Sequence, residues 1–432
     1  MSVSLFSYSG SVSPVQRRRE AVLTVMMLFV WALWAWWLAA NIWSSDLAAL
    51  WFAGHFHAIG QDALVYDAPA QFFGGTPPDW IAAHLAHGGP PAGLSFPYVY
   101  PPLWVGLIAP LTGWLEPIAF FRLFLALHVA LLAGSVLLAE RIARPAGMPR
   151  LVFIGWGLAV LTLSAPVRAS LYLNQPTIGV TFLVLLAVAC LRERPRLAGG
   201  VLAVAAAIKL TPLVYALLCV QARRPRALVV LALGLAALTL ASFALMGTGL
   251  HQAFLEQLGR AGQNSVWARG NPSLRLLLLD LLPAGEVPGT FVWMPGGEAA
   301  LVALPRWLGP VAAVVALLIA LPAAVLAVRR PGPAAVTLGL LGLSIGLAVF
   351  GPVSWLHYFV LPMLIAPALG SGLGRGATLI VLAQLLLANS DAVLSFFPAD
   401  ADGTFRYVAL ICLSWLVTLA ATVVALSRHP KG

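Results

Sequence analysis

The chain has 432 residues, of which 61% are hydrophobic and 9% charged, and its mean hydropathy is +0.92. That balance excludes a soluble domain and predicts an all-α polytopic membrane protein. The formal net charge of +10 sits in short basic clusters between apolar runs, so it reads as a set of topology signals and excludes nucleic acid as a partner.

The first element is the apolar run Ala21 to Ile42, long enough to cross a bilayer. Arg17, Arg18 and Arg19 precede it, which keeps residues 1–20 in the cytoplasm as a short tail and sends the next loop outside. No small-x-small cleavage site follows before Asp46, so the run is expected to stay as a span. From Ala21 to Phe121 there is no Lys or Arg, yet Asp46, Asp62, Asp67 and Asp79 are present. This charge silence marks a first external loop over 45–116. Within it, Pro101 to Trp114 is apolar but short, and is expected to lie at the outer surface or to re-enter partway.

The later Arg clusters order the rest. Arg141, Arg144 and Arg150 form one inside loop; Arg192, Arg194 and Arg196 a second; Arg223, Arg224 and Arg226 a third; Arg329 and Arg330 a fourth. Arg375 and the tail 428–432, with Arg428 and Lys431, complete the cytoplasmic face. Joining these points predicts spans near 21–44, 117–142, 151–166, 175–191, 197–209, 210–222, 227–247, 303–328, 334–352, 356–371, 375–391 and 405–427, about twelve crossings with both termini inside. The pair 197–209 and 210–222 is short for two spans, with Lys209-Leu-Thr-Pro212 at its tip. Such a broken hairpin requires its free backbone groups to face protein or water. A second large external loop covers 248–302, and the whole of 1–432 reads as one membrane domain without internal repeats.

Cys190, Cys219 and Cys412 lie within apolar segments and imply neither a disulfide framework nor a metal cluster. His55, His57, His84 and His87 have ligand-capable spacings. No carboxylate or Cys completes a tight set, so they read as a surface loop; no cofactor is expected, and metal dependence stays open.

With this topology, the polar residues that are not topology charges gather on the outer side. They are Asp46, Asp62 and Asp67, the run Phe96 to Pro102, Arg168, Asn174, Gln175, Lys209, the loop Gln263 to Arg269, and Ser354 to Tyr358. Lys209 at mid-bilayer costs roughly 2.5–3.5 kcal/mol, so it should face a polar cavity or snorkel to the interface. Tyr98 and Tyr100, beside Pro101 and Pro102, suggest a rigid rim with rings at the headgroups. Asp46 is either a base held at headgroup level or a loop aspartate that ends a helix.

Taken in order, Asp46, Tyr66-Asp67, Tyr98-x-Tyr100-Pro-Pro102, Asn174-Gln175, Ile208-Lys-Leu-Thr-Pro212, Asn264-Ser265 and Trp355-x-His357-Tyr358 resemble the polyprenyl-phosphate-mannose-dependent mannosyltransferases of glycosyltransferase family 87. The chain departs at one place, where the family usually has Gly-Gln and this sequence has Asn174-Gln175. That difference bears on turn geometry more than on chemistry.

The resemblance implies the GT-C type glycosyltransferase fold. It also implies inverting transfer of a mannosyl residue from a polyprenyl-phosphate donor to a hydroxyl of a glycolipid or glycan acceptor, among membrane lipids at the outer face of a bacterial inner membrane. Such a reaction needs one carboxylate to take the acceptor's proton and cations to hold the phosphate leaving group. Asp46 is assigned the first role, and Lys209, Arg269 and His357 the second. Tyr98, Tyr100, Asn174, Gln175, Asn264 and Asp67 are assigned to substrate binding, with a structural turn the stronger reading for Asp67. The alternatives are the same mechanism with arabinose or another prenyl-linked sugar, a transporter or lipid flippase, and a noncatalytic assembly subunit.

Overall fold

The computed structural model describes residues 13–430 except 70–71, 73–74, 92, 262–263, 281–288, 295–296, 304–306, 352 and 399–400. In chain order, α1 (Pro14–Ala39) and α2 (Ser45–Ala58) precede α3 (Ile81–Ala86), α4 (Leu103–Thr112) and α5 (Pro117–Ala143). Next come α6 (Arg150–Leu163), α7 (Ala165–Leu173), α8 (Thr177–Cys190), α9 (Pro195–Ile208), a 3-10 turn over Thr211–Tyr215, α10 (Ala216–Gln221) and α11 (Pro225–Ala261). The following stretch holds β1 (Asn264–Trp267), α12 (Leu274–Asp280), β2 (Gly289–Met294) and β3 (Gly297–Ala303). The chain then continues with α13 (Leu308–Val328), α14 (Pro333–Phe350), a 3-10 turn over Leu356–Phe359, α15 (Val360–Ile365), α16 (Arg375–Ala388), α17 (Asp391–Phe396) and α18 (Ala401–Ser427).

Proline at the first helical turn recurs, in α1, α5, α9 and α14, where its missing N–H has no partner to lose. Ser13 adds a cap to α1 by accepting from the Gln16 amide at 3.2 Å. Helix α1 therefore begins at Pro14, ahead of the expected start at 21, and Arg17, Arg18 and Arg19 belong to its first turns. Its C-terminal end is closed by Arg122 of α5, which donates to the Ala40 carbonyl at 3.1 Å and to Asn41 Oδ1 at 2.8 Å. A cation there complements the negative end of the helix.

Among the described residues six helices are long and apolar enough to span a membrane, and α7 with α8 form a further apolar pair bent by 119°. The protein is an integral, all-α polytopic membrane protein. Helices α6, α8, α9 and α16 coincide with expected spans but have 14 residues each, about 21 Å at 1.5 Å per residue, short of a ~30 Å hydrocarbon core. The 248–302 loop differs from expectation in two ways. Helix α11 runs on to Ala261 past a kink at Gly247 (φ 69°), and an antiparallel sheet of order β1-β3-β2 follows.

Two apolar clusters organise the chain. The larger joins α1, α5 to α9, α14 and α18. The smaller joins α2, the loop around Tyr98 and Tyr100, α4, the start of α5 and the end of α11. Helix α11 belongs to both, through Ala227 and Leu231 in the first and Met246, Leu250 and Phe254 in the second.

Close helix crossings depend on glycine. Gly54 of α2 lies against α4, where an added Cβ would come within 2.8 Å of Ile108 Cγ2. Gly199 of α9 lies directly on the backbone of α11 at Ala227, the kind of approach small residues permit between membrane helices. Since any side chain there must displace backbone, Gly199→Leu is expected to lose at least the 1–3 kcal/mol typical of overpacking. A clear drop in the melting temperature of the detergent-purified variant checks this; an unchanged melting temperature contradicts it.

Candidate functional site

The first turn of α2 carries Asp46, and a second strand of chain lies along that turn. The Phe96 amide donates to the Ser45 carbonyl at 3.1 Å, and Trp43 Nε1 donates to the Leu94 carbonyl at 3.2 Å. These bonds bring Tyr98 and Tyr100 against the start of α2. Both rings are buried, so they are not the headgroup-level rim that the sequence suggests. The Tyr98 hydroxyl donates to the Pro101 carbonyl at 2.9 Å and braces its own loop. The Tyr100 hydroxyl turns inward and lies 3.5 Å from Gln175 Oε1.

The opposite wall is the sharp turn between α7 and α8. Asn174 caps α7 in the left-handed conformation, φ 51° and ψ 52°, which favours Gly and, after it, Asn. Asn174 thus supplies the backbone shape that a glycine would supply. Its side chain is committed internally. Nδ2 donates to the Phe121 carbonyl at 2.8 Å and Oδ1 lies 2.6 Å from His128 Nδ1. The next residue, Gln175, donates from Nε2 to Asp46 Oδ2.

Lys209 completes the cluster. Helix α9 ends just before it, and Lys209 itself is extended (φ −150°, ψ 133°). Trp104 of α4 fixes this end by donating to the Ala207 carbonyl at 2.7 Å. The Lys209 ammonium lies 3.3 Å from Thr177 Oγ1 and 4.4 Å from the centre of the Tyr358 ring, a cation–π distance. Thr177 Oγ1 in turn lies 3.3 Å from Gln175 Oε1. Lys209, Thr177, Gln175 and Asp46 therefore form one chain of donors pointing from the ammonium to the carboxylate, and each bond polarises the next.

His357 stands beside Tyr358, edge to face at 4.6 Å, and is buried, with no partner for Nε2 among the described residues. Its segment is held by the turn after β1. Asn271 Oδ1 accepts from the Ser354 amide at 2.7 Å and the Gly270 carbonyl accepts from the Leu356 amide at 3.0 Å. Asp46, Tyr100, Gln175, Lys209 and His357, far apart in sequence, thus meet. Thr177 joins them from the first turn of α8, two residues after Gln175, and that place is its one signal in the sequence.

Other expected residues have different surroundings. Asp67 accepts from the amides of Ala68 at 2.8 Å and Asp79 at 3.3 Å, a turn-stabilising carboxylate. Arg269 Nη1 donates to the carbonyls of Leu394 at 3.0 Å and Phe397 at 2.9 Å, so its guanidinium holds the end of α17. Asn264 opens β1 opposite Ala303; its side chain lies outside the described residues. In the histidine-rich loop, His57 pairs with Asp62 at 2.6 Å, His87 with Glu116 at 2.9 Å and His84 with Ser95 Oγ at 2.9 Å, while His55 stacks on Trp51 at 5.0 Å.

The electrostatics single out Asp46. Burial raises its pKa from the ordinary 3.8 to about 6, against the opposing effects of the Gln175 hydrogen bond and the Lys209 charge. Burial, together with the nearby Asp46 and Tyr358, also pushes the Tyr100 phenol upward. The result is a carboxylate charged at neutral pH yet poised near it, as suits a general base.

The sequence profile of glycosyltransferase family 87 matches residues 98–351. The chain belongs to glycosyltransferase family 87. It is also 27% identical over 340 residues, 72% of this chain and 71% of the relative, to the polyprenol-phosphate-mannose-dependent alpha-(1-2)-phosphatidylinositol mannoside mannosyltransferase of Mycobacterium tuberculosis (strain ATCC 25618 / H37Rv). A carboxylate and an ammonium are thus joined through two side chains in this member of a glycosyltransferase family.

Because the folded chain holds the Asp46 proton to higher pH than the unfolded chain, the contribution of this group to stability is intact below about pH 4 and falls as pH rises through about 6. At about 1.4 kcal/mol per unit, the cost at neutral pH reaches at most about 3 kcal/mol, less whatever its partial exposure screens. Asp46→Asn is expected to raise the melting temperature at pH 7.5 and to lose that gain near pH 4. A lower melting temperature at pH 7.5 contradicts this.

Proposed function

We propose that this glycosyltransferase moves a mannosyl residue from a polyprenyl phosphate to an acceptor hydroxyl at the outer face of a bacterial inner membrane, with inversion at the anomeric carbon. In this reading Asp46 takes the proton of the acceptor hydroxyl as its oxygen bonds to the anomeric carbon. The bond from that carbon to the phosphate oxygen breaks, and the polyprenyl phosphate leaves with the electron pair. A phosphate is a good leaving group, so no second carboxylic acid is needed. Lys209 faces the growing phosphate charge, and the Nε2 atom of His357 serves the same group or orients the acceptor.

The observation that carries this reading is the donor chain from Lys209 through Thr177 and Gln175 to Asp46. It joins a cation of the kind that holds phosphate to a carboxylate of the kind that takes a proton, which supports this reading. The choice of mannose over arabinose or another prenyl-linked sugar follows the mycobacterial relative's name. The basic clusters at inner helix ends support the outward-facing site. A slot of about 440 Å³ between α13, α14 and α18 suits the prenyl chain. It is lined by Ala316, Ala320, Gly342, Gly346 and Leu419 and also touched by Val214, just beyond the Lys209 turn.

The test is transfer of labelled mannose from synthetic polyprenyl phosphate mannose to a panel of lipid and glycan acceptors by the purified protein. Asp46→Asn is expected to lower the rate at least 10²-fold, in line with removal of a general base, while donor binding persists. Lys209→Met is expected to weaken donor use as well as turnover. Near-normal transfer by Asp46→Asn overturns the assignment, and donor that crosses vesicles unconsumed by the native protein overturns the transferase reading in favour of transport.

A further inference from the structure

The hydrogen bond between Gln175 and Asp46 depends on a turn that the sequence makes in an unusual way. A left-handed residue closes α7, and any residue other than glycine there pays a conformational cost. Asn174 is held in that conformation from both sides by α5. The Phe121 carbonyl accepts from Nδ2 at 2.8 Å, and His128 Nδ1 approaches Oδ1 at 2.6 Å. Since the amide nitrogen is already spent on a carbonyl, Oδ1 can only accept, and His128 Nδ1 carries the proton. Phe121 and His128 are seven residues apart, two turns along one face of α5.

The same face also holds the entrance to α2. The Phe121 ring packs edge to face on Trp43 at 5.2 Å, three residues before Asp46. One stretch of α5 thus sets both members of the pair, the carboxylate through Trp43 and the glutamine through Asn174. His128 is 3% exposed and sits in the middle of a long apolar helix. A polar side chain there is costly unless its hydrogen bond serves the structure.

We propose that His128 is a positioning residue for the reaction: by donating to Asn174 it holds the left-handed turn that places Gln175 on Asp46. The proposal rests on the reading of Asp46 as the base. His128 touches no reacting atom and acts only through Asn174 and Gln175. Its effect is therefore carried by geometry at the carboxylate, where losing the Gln175 hydrogen bond removes one of the two influences that keep Asp46 acidic. The other titratable groups near Asp46, Lys209 and Tyr100, and His357 beyond Lys209, remain in place when His128 is changed.

The experiment compares His128→Leu, His128→Gln and the native protein by kcat and by the pH profile of kcat/KM, alongside Asp46→Asn. For His128→Leu the expected result is a fall in kcat on the order of 10- to 100-fold, with the acidic limb of the profile moved to higher pH. His128→Gln, which still offers an N–H to Asn174, is expected to recover most of both. In an Asn174→Gly background, where glycine adopts the turn unaided, the His128→Leu cost should shrink to about threefold or less, given the low cost of αL at glycine.

An unmoved acidic limb in His128→Leu, whatever the rate, overturns the positioning role, as does an undiminished His128→Leu cost in the Asn174→Gly background. If Asp46→Asn is inactive while either of these holds, the base reading stands and the His128 proposal alone falls. If Asp46→Asn transfers sugar normally, both fall.

Discussion

A carboxylate held in surroundings that penalise its charge organises the candidate site of this protein. Burial raises the Asp46 pKa, and the Gln175 hydrogen bond and the Lys209 ammonium oppose it, leaving it at about 6. Each of these two side chains is delivered by a break in a helix. The left-handed turn at Asn174 delivers Gln175, and the extended residue that ends α9 delivers Lys209. Broken helices are affordable in a membrane protein only where their free backbone groups meet protein or water. The site is therefore assembled where short helices end, and the long helices serve as the frame.

That frame explains why the short helices are fixed so firmly. Trp104 of α4 holds the end of α9, and Trp51 of α2 donates to the Leu115 carbonyl at 2.8 Å. Gly54 lets α2 and α4 approach closely, so α2, which carries Asp46, is locked to α4, which positions Lys209. The indole N–H bonds fix these elements in a largely apolar protein, since each tryptophan offers one directional bond and a large apolar surface.

Much of the helical frame was legible in the sequence. The expected spans 117–142, 334–352 and 405–427 correspond to span-length helices, Pro117–Ala143, Pro333–Phe350 and Gly403–Ser427, while 356–371 and 375–391 are shorter apolar helices; prolines and arginine clusters mark where such apolar runs start and stop. The meeting of Asp46, Gln175, Lys209 and His357 was legible only as a gathering on one face. Hydropathy reports which residues lie in helices and which ends share a side, but not which ends touch. Thr177 carries no distinctive signal in the sequence, because a threonine at a helix start has many ordinary uses. Arg269, assigned to phosphate by the resemblance, donates from Nη1 to two carbonyls at the end of α17, a pairing across more than a hundred residues that no local pattern encodes. The sheet of β1, β3 and β2 is not legible in the sequence, because it lies in a loop whose apolar residues resemble those of the spans.

The most direct test of this account is a structure of the protein with a non-transferable phosphonate analogue of polyprenyl phosphate mannose. The account predicts the phosphonate within ion-pair distance, about 4 Å, of the Lys209 ammonium, the Tyr358 ring still beneath that ammonium, and the anomeric carbon facing the Asp46 carboxylate with room for one hydroxyl between them. A phosphonate seated away from Lys209, or a sugar turned so that Asp46 cannot reach the attacking oxygen, would contradict it.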